Sequence, residues 1–134
     1  MEALLDKFKR KIEEDYVIGP FMKTGDPAFV EVAGYAGFDF AILDMEHGPV
    51  SIETMQNNVR AALVSGIVPI IRVEDHREIS IGKALDIGAL GVQVPQITNA
   101  KEAENVVSAA RFYPNGDRGV CRFVRAANYS AMDR

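Results

Sequence analysis

Short apolar runs alternate with amphipathic stretches along this chain, and the alternation keeps a regular beat. Leu4, Leu5, Phe8 and Ile12 fall at helical spacing and predict an opening amphipathic helix. Residues 16–22 read as a first strand. Thr24-Gly25-Asp26-Pro27 follows, where Asp26 can cap and Pro27 suits a first helical turn. Residues 28–36 form the predicted helix and Gly37 ends it. The beat then repeats: strand 40–43 with helix 52–64 closed by Ser65-Gly66, strand 67–73 with helix 78–87 closed by Gly88, and strand 91–94 with helix 99–111. After Arg111 it stops. Tyr113-Pro114-Asn115-Gly116-Asp117-Arg118-Gly119 reads as a loop, and no further strand is clear before Arg134.

Four βα units with short loops and no hairpin signal predict an α/β fold with a parallel sheet and right-handed crossovers. Gly37, Gly66 and Gly88 each stand between a helix and the next strand, as left-handed caps would. No linker divides the chain, so residues 1–134 read as one domain. A (β/α)8 TIM barrel needs about 250 residues, and 134 hold about half of one. A half barrel leaves two open sheet edges and an uncovered apolar inner face. Either the sequence is the N-terminal half of a longer barrel, with the other half not included, or two copies complete each other. An open doubly wound sheet is the alternative, but it expects a glycine-rich phosphate loop after the first strand. Lys23-Thr24-Gly25-Asp26 is not one.

Polar residues collect at the ends of three predicted strands, where α/β folds place their chemistry. In Phe40-Ala41-Ile42-Leu43-Asp44-Met45-Glu46-His47-Gly48-Pro49, an apolar strand ends in two carboxylates and one of only two histidines. Arg72 closes Ile70-Ile71-Arg72, and Gln93 or Gln96 flanks Pro95. A histidine near carboxylates is a proton acceptor at neutral pH, and an arginine at a strand end can hold a carboxylate or steady an enolate oxygen. Each residue also has an ordinary reading: Asp44 as a turn cap, Arg72 as an ion pair across a barrel mouth. Asp86 sits near a helix C-terminus, where the dipole disfavours negative charge, which suggests a partner elsewhere. His76 reads as surface charge and Cys121 as packing. Asp44, Glu46 and His47 crowd one turn and make a poor metal site by themselves.

Bulk composition removes several classes. A net charge of −4 with mixed signs lacks the basic stripe of a nucleic-acid binder. No apolar run approaches the length of a membrane span, and the opening segment lacks a signal peptide's apolar core. The single cysteine cannot form an internal disulfide. The expectation is a cytoplasmic protein with no nucleic-acid or membrane partner.

At these residues the chain resembles the HpcH/HpaI aldolase family of metal-dependent pyruvate aldolases. The stretches that carry the likeness are Ala36-Gly37-Phe38-Asp39, Leu43 to Pro49, Pro69-Ile70-Ile71-Arg72-Val73, Lys83-Ala84-Leu85-Asp86-Ile87-Gly88-Ala89, Val94-Pro95 and residues 113–119, in that order. The resemblance implies a (β/α)8 barrel of the phosphoenolpyruvate/pyruvate type, of which this chain covers the first four βα units. It implies a lyase that reversibly cleaves a 4-hydroxy-2-oxo acid to pyruvate and an aldehyde through a metal-stabilised enolate. The metal would be Mg2+, Mn2+ or Co2+, and its glutamate and aspartate ligands would lie beyond Arg134. By the same resemblance His47 is the catalytic acid/base and Arg72 steadies the enolate oxygen. Asp86 supports His47 across a subunit interface of a homo-oligomer, and Asp44 orients water or His47. The partners so implied are a small 2-oxo acid and an aldehyde. Two other readings are a citramalyl- or malyl-CoA-type lyase of the same barrel group, and a non-catalytic half barrel serving as an assembly module.

Overall fold

The computed structural model describes residues 2–131. Helix α1 (Glu2–Glu14) precedes four βα units: β1 (Phe21–Met22) with α2 (Pro27–Tyr35), β2 (Phe40–Asp44) with α3 (Ile52–Ser65), β3 (Val68–Arg72) with α4 (Glu78–Asp86), and β4 (Gly91–Gln93) with α5 (Ala100–Ala110). All four strands are parallel and lie in chain order, β1-β2-β3-β4. Helices α2, α3, α4 and α5 all contribute to one buried cluster on the same face of the sheet, as right-handed crossovers repeated in one direction require. A doubly wound sheet reverses its strand order at a switch point. No reversal occurs here, so the sheet is part of a barrel wall.

The elements begin and end where local chemistry allows. Asp26 accepts the Ala28 N–H ahead of Pro27, Ser51 accepts that of Thr54, and Asn99 accepts that of Glu102. Gly37, Gly66 and Gly88 all have positive φ (91°, 80° and 101°), so each takes the left-handed turn that releases a helix toward the next strand. The first strand is shorter than the apolar run predicts. The Ile18 and Pro20 carbonyls still accept from the Asp39 and Ile42 N–H groups. Pro20 has no N–H to return, and the regular ladder starts only at Phe21. Helix α1 runs longer than its apolar positions suggest. It is fastened at the amino end of β2 by Lys11 on Asp39 (2.6 Å) and by Phe8 edge-on to Phe40. A short 3-10 segment, Arg125–Ser130, has no periodic signal in the sequence.

Strand alternation sorts the side chains. Ala41, Leu43, Ile71 and Val73 point under the helices and pack with Val30, Ala33, Met55, Val59, Ala62, Ile81 and Ala84 in one buried cluster. The opposite, inner face carries Phe21, Ile42 and Ile70 side by side in register. Phe21 is 48% exposed there. Among the described residues, β1 and β4 each have a neighbour on one side only. These are the open edges and bare inner face that the half count implied. No helix among the described residues is long and apolar enough to cross a membrane.

Leu43 is fully buried and Val64 is 72% exposed. Leu43→Ala should lower unfolding stability by about 2–5 kcal/mol, and Val64→Ala by no more than about 0.5 kcal/mol. Urea unfolding midpoints check this; equal small shifts would contradict the placement of the core.

Candidate active site

The pleat gathers the site. Asp44 ends β2 on the inner face, Arg72 is its partner in register on β3, and Gln93 is the partner of Arg72 on β4. This row lies at the carboxyl ends of the strands, the edge at which barrels carry their chemistry.

Asp44 has no solvent exposure. Arg72 grips it with two parallel bonds, Nε donating to Oδ1 at 2.9 Å and Nη2 to Oδ2 at 2.8 Å. The backbone N–H groups of Glu46 and His47 also donate to Oδ1, at 3.0 and 3.3 Å. A buried carboxylate costs several kcal/mol unless it is paired and fully hydrogen-bonded, and these donors meet that demand. The Arg72 hydrogen bonds outweigh burial and hold the Asp44 carboxyl at about 2, below its ordinary 3.8. Asp44 in turn makes the guanidinium still harder to deprotonate.

The same guanidinium reaches further. Its Nη1 lies 3.1 Å from Glu46 Oε2, and its carbon stands 4.6 Å above the centre of the Phe21 ring. Arginine has five N–H donors. Two of them, on Nε and Nη2, are donated to Asp44, and Nη1 stands within ion-pair range of Glu46. Glu46 Oε1 lies 3.6 Å from His47 Nε2 and accepts from Gln96 Nε2 at 3.4 Å. The Glu46 side chain is only 10% exposed, whereas the His47 ring is 62% exposed. His47 and Arg72 therefore flank one shielded carboxylate, with the imidazole open to a ligand.

Asp44, His47 and Arg72 come together as the spacing predicted. Of the two candidate glutamines, Gln96 joins the network, from a backbone φ of 57° that few residues with side chains adopt. Gln93 shares the row but donates to none of these groups. Asp44 accepts the His47 backbone N–H and makes no hydrogen bond to the imidazole. Asp86 stands elsewhere. As the last residue of α4 it lies toward the opposite end of the sheet, and its carboxylate accepts from Arg118 Nη2 at 2.8 Å. The partner that its awkward helix position called for is thus present in the same chain. Cys121 is exposed, which corrects its reading as a packing residue; His76 is exposed as predicted. Two contributors had no assigned role: Glu46 as the bridge between His47 and Arg72, and Phe21 as the floor under the guanidinium. Glu46 was visible in the polar cluster. Phe21 becomes legible only once register places it on the inner face.

The HpcH/HpaI aldolase/citrate lyase family profile matches residues 18–131. The chain belongs to that family. It is 35% identical over 112 residues to the 2-dehydro-3,6-dideoxy-6-sulfogluconate aldolase of Pseudomonas putida, covering 84% of this chain and 44% of the relative. It is 34% identical over 135 residues to the hydroxypyruvate/pyruvate aldolase of Roseobacter denitrificans, covering 99% of this chain and 53% of the relative. The crystal structure of an HpcH/HpaI aldolase/citrate lyase family protein from Burkholderia cenocepacia superposes with a TM-score of 0.86 at 28% identity, over 93% of this chain and 52% of that one. The chain thus spans about half the length of the relatives it matches, and its four strands are a partial TIM barrel.

A metal does not fit the HpcH/HpaI residues gathered here. Among the described residues no group of three or more His, Cys, Asp or Glu side chains could hold an ion. Both Asp44 oxygens are already taken by the guanidinium.

Because the folded Asp44 carboxyl titrates at about 2 and the ordinary value is 3.8, its ionised form stabilises the fold above about pH 4. That contribution, about 2 kcal/mol, is lost as pH falls toward 2. Arg72→Met leaves the carboxylate buried without its partner and should cost about 3–5 kcal/mol at pH 7. The gap from the parent protein should narrow steadily as pH falls, beginning above pH 4, where the unpartnered Asp44 of the variant becomes neutral, and continuing toward pH 2, where that of the parent does. Unfolding curves across that range check it; a gap independent of pH would contradict the pairing.

Proposed function

We propose that this chain carries the acid/base part of a metal-dependent pyruvate aldolase site. Family membership and aldolase-named relatives support the reaction class. One observation carries the reading to residues: an exposed His47 and the Arg72 guanidinium flank the same shielded carboxylate, that of Glu46, at the strand ends.

In the cleavage direction the C4 hydroxyl of a 4-hydroxy-2-oxo acid loses its proton and the C3–C4 bond breaks, releasing an aldehyde. The electron pair left on C3 develops negative charge on the C2 oxygen, and a proton delivered to C3 completes pyruvate. His47 takes the hydroxyl proton and returns one to carbon. Arg72 offers its positive charge and an N–H not donated to Asp44 to the oxygen that gains charge, held in place by Asp44 and Glu46 so that little reorganisation is needed. Asp44 also fixes the His47 backbone. Asp86 supports the imidazole of a second copy, which makes the active form a homo-oligomer. A divalent metal (Mg2+, Mn2+ or Co2+), which the family resemblance implies, would be held by carboxylates outside the described residues and would supply Lewis-acid chemistry toward the 2-oxo acid.

In the intact enzyme with metal supplied, His47→Ala should lower kcat for 4-hydroxy-2-oxo acid cleavage at least ~100-fold, with the KM for the 2-oxo acid changed less than about threefold. Pyruvate release coupled to NADH oxidation reads both. A near-normal rate would remove His47 from the mechanism. Cleavage of an acyl-CoA thioester with none of the free acid would replace the aldolase reading by an acyl-CoA lyase.

A further inference from the structure

Asp86 is held in a way that a surface ion pair does not require. Arg118 Nη2 donates to its Oδ1 at 2.8 Å, from a guanidinium side chain only 11% exposed. The guanidinium carbon lies 4.7 Å above the centre of the Phe112 ring. The loop that delivers Arg118 is itself pinned: Asp117 N–H donates to the Ser108 carbonyl and Arg118 N–H to the Arg111 carbonyl, both at 2.9 Å, and Ser108 Oγ donates to Asp117 Oδ2 at 2.8 Å. Gly116 sits so tightly over the end of α5 that a Cβ would collide with the Ser108 and Arg111 carbonyls. The whole 112–118 turn therefore sets the direction of one side chain.

That side chain holds one oxygen of Asp86 and leaves the other. Among the described residues Oδ2 has no hydrogen-bond partner, and the side chain is 33% exposed. Glu78, Lys83 and Asp117 line the same groove beside it. The imidazole of His47 is open in the same sense, with Glu46 at 3.6 Å and the Arg72–Asp44 pair behind it. We infer that Arg118 is the positioning residue of Asp86: it locks the carboxylate in the one orientation that presents Oδ2 outward, to the His47 N–H of a second copy of this chain. This rests on the reading that Asp86 supports His47 between copies. A carboxylate at a helix C-terminus gains nothing from the helix dipole, so its direction depends on Arg118, and small misplacements of a catalytic support are costly.

The test is the pH profile of kcat in the intact enzyme with Arg118→Met, Arg118→Lys, Asp86→Asn and the Arg118→Met/Asp86→Asn double variant. Asp86→Asn should move the acid limb to lower pH, because the imidazolium loses its carboxylate. Arg118→Met should move the limb the same way and lower kcat about tenfold or more, with KM for the 2-oxo acid within about twofold. Arg118→Lys should restore most of the rate, and the double variant should be no slower than Asp86→Asn alone. If Arg118→Met only lowers the melting temperature and leaves the limb in place, or shifts it to higher pH as bare loss of a cation would, the positioning role is overturned while that of Asp86 stands. If Asp86→Asn itself moves neither rate nor limb, both fall.

Discussion

A carboxylate sealed from water at the end of β2 sets the terms for the rest of the site. Asp44 is tolerable there only because the adjacent strand places Arg72 beside it in register and the following turn folds two N–H groups back onto it. One residue of slip between β2 and β3 would turn Arg72 to the helix face and leave the charge unpaired. The pair therefore fixes register, guanidinium direction and the path of the Glu46-His47 turn together. Breaking it costs more than making it yields, since a lone buried charge is worse than an apolar substitute.

The surrounding network extends from that pair. Glu46 binds the far side of the guanidinium and stands against His47, Gln96 closes over Glu46, and Phe21 supports the cation from the first strand. Every member but the glutamine loop comes from β1, β2 or β3 or the turn after β2. On the same face Phe21 is exposed beside Ile42 and Ile70, Gln93 ends the row, and among the described residues β1 and β4 are edge strands. A site assembled in this way is one wall of a pocket: it holds an arginine and a histidine in place, and among the described residues it gathers no set of three or more metal-ligating side chains.

Most of the architecture was legible because βα repetition writes itself twice, once in apolar runs and once in the glycines between helix and strand. Gly37, Gly66 and Gly88 mark the returns with positive φ at each. The first strand was read too long, since the apolar run of residues 16–22 contains Pro20, whose missing N–H keeps the regular ladder from starting before Phe21. At the site, Asp44, His47 and Arg72 were legible from strand ends, because position in the topology decides which polar residues can meet. Glu46 as a bridge and Phe21 as a floor were not, because both depend on which face the pleat presents. Arg118 lay inside a recognisable loop motif, yet its bond to Asp86 spans 32 residues and follows no local rule.

In the proposed reaction His47 moves a proton at the methyl carbon of the 2-oxo acid while Arg72 steadies the neighbouring oxygen. Exchange of the pyruvate methyl hydrogens in D2O, followed by proton NMR without any aldehyde, isolates that step in the intact metal-supplied enzyme. Progressive loss of the methyl signal is expected in the parent protein, with no loss in His47→Ala and a strongly slowed loss in Arg72→Lys. Undiminished exchange in His47→Ala, or none in the parent protein, would contradict it.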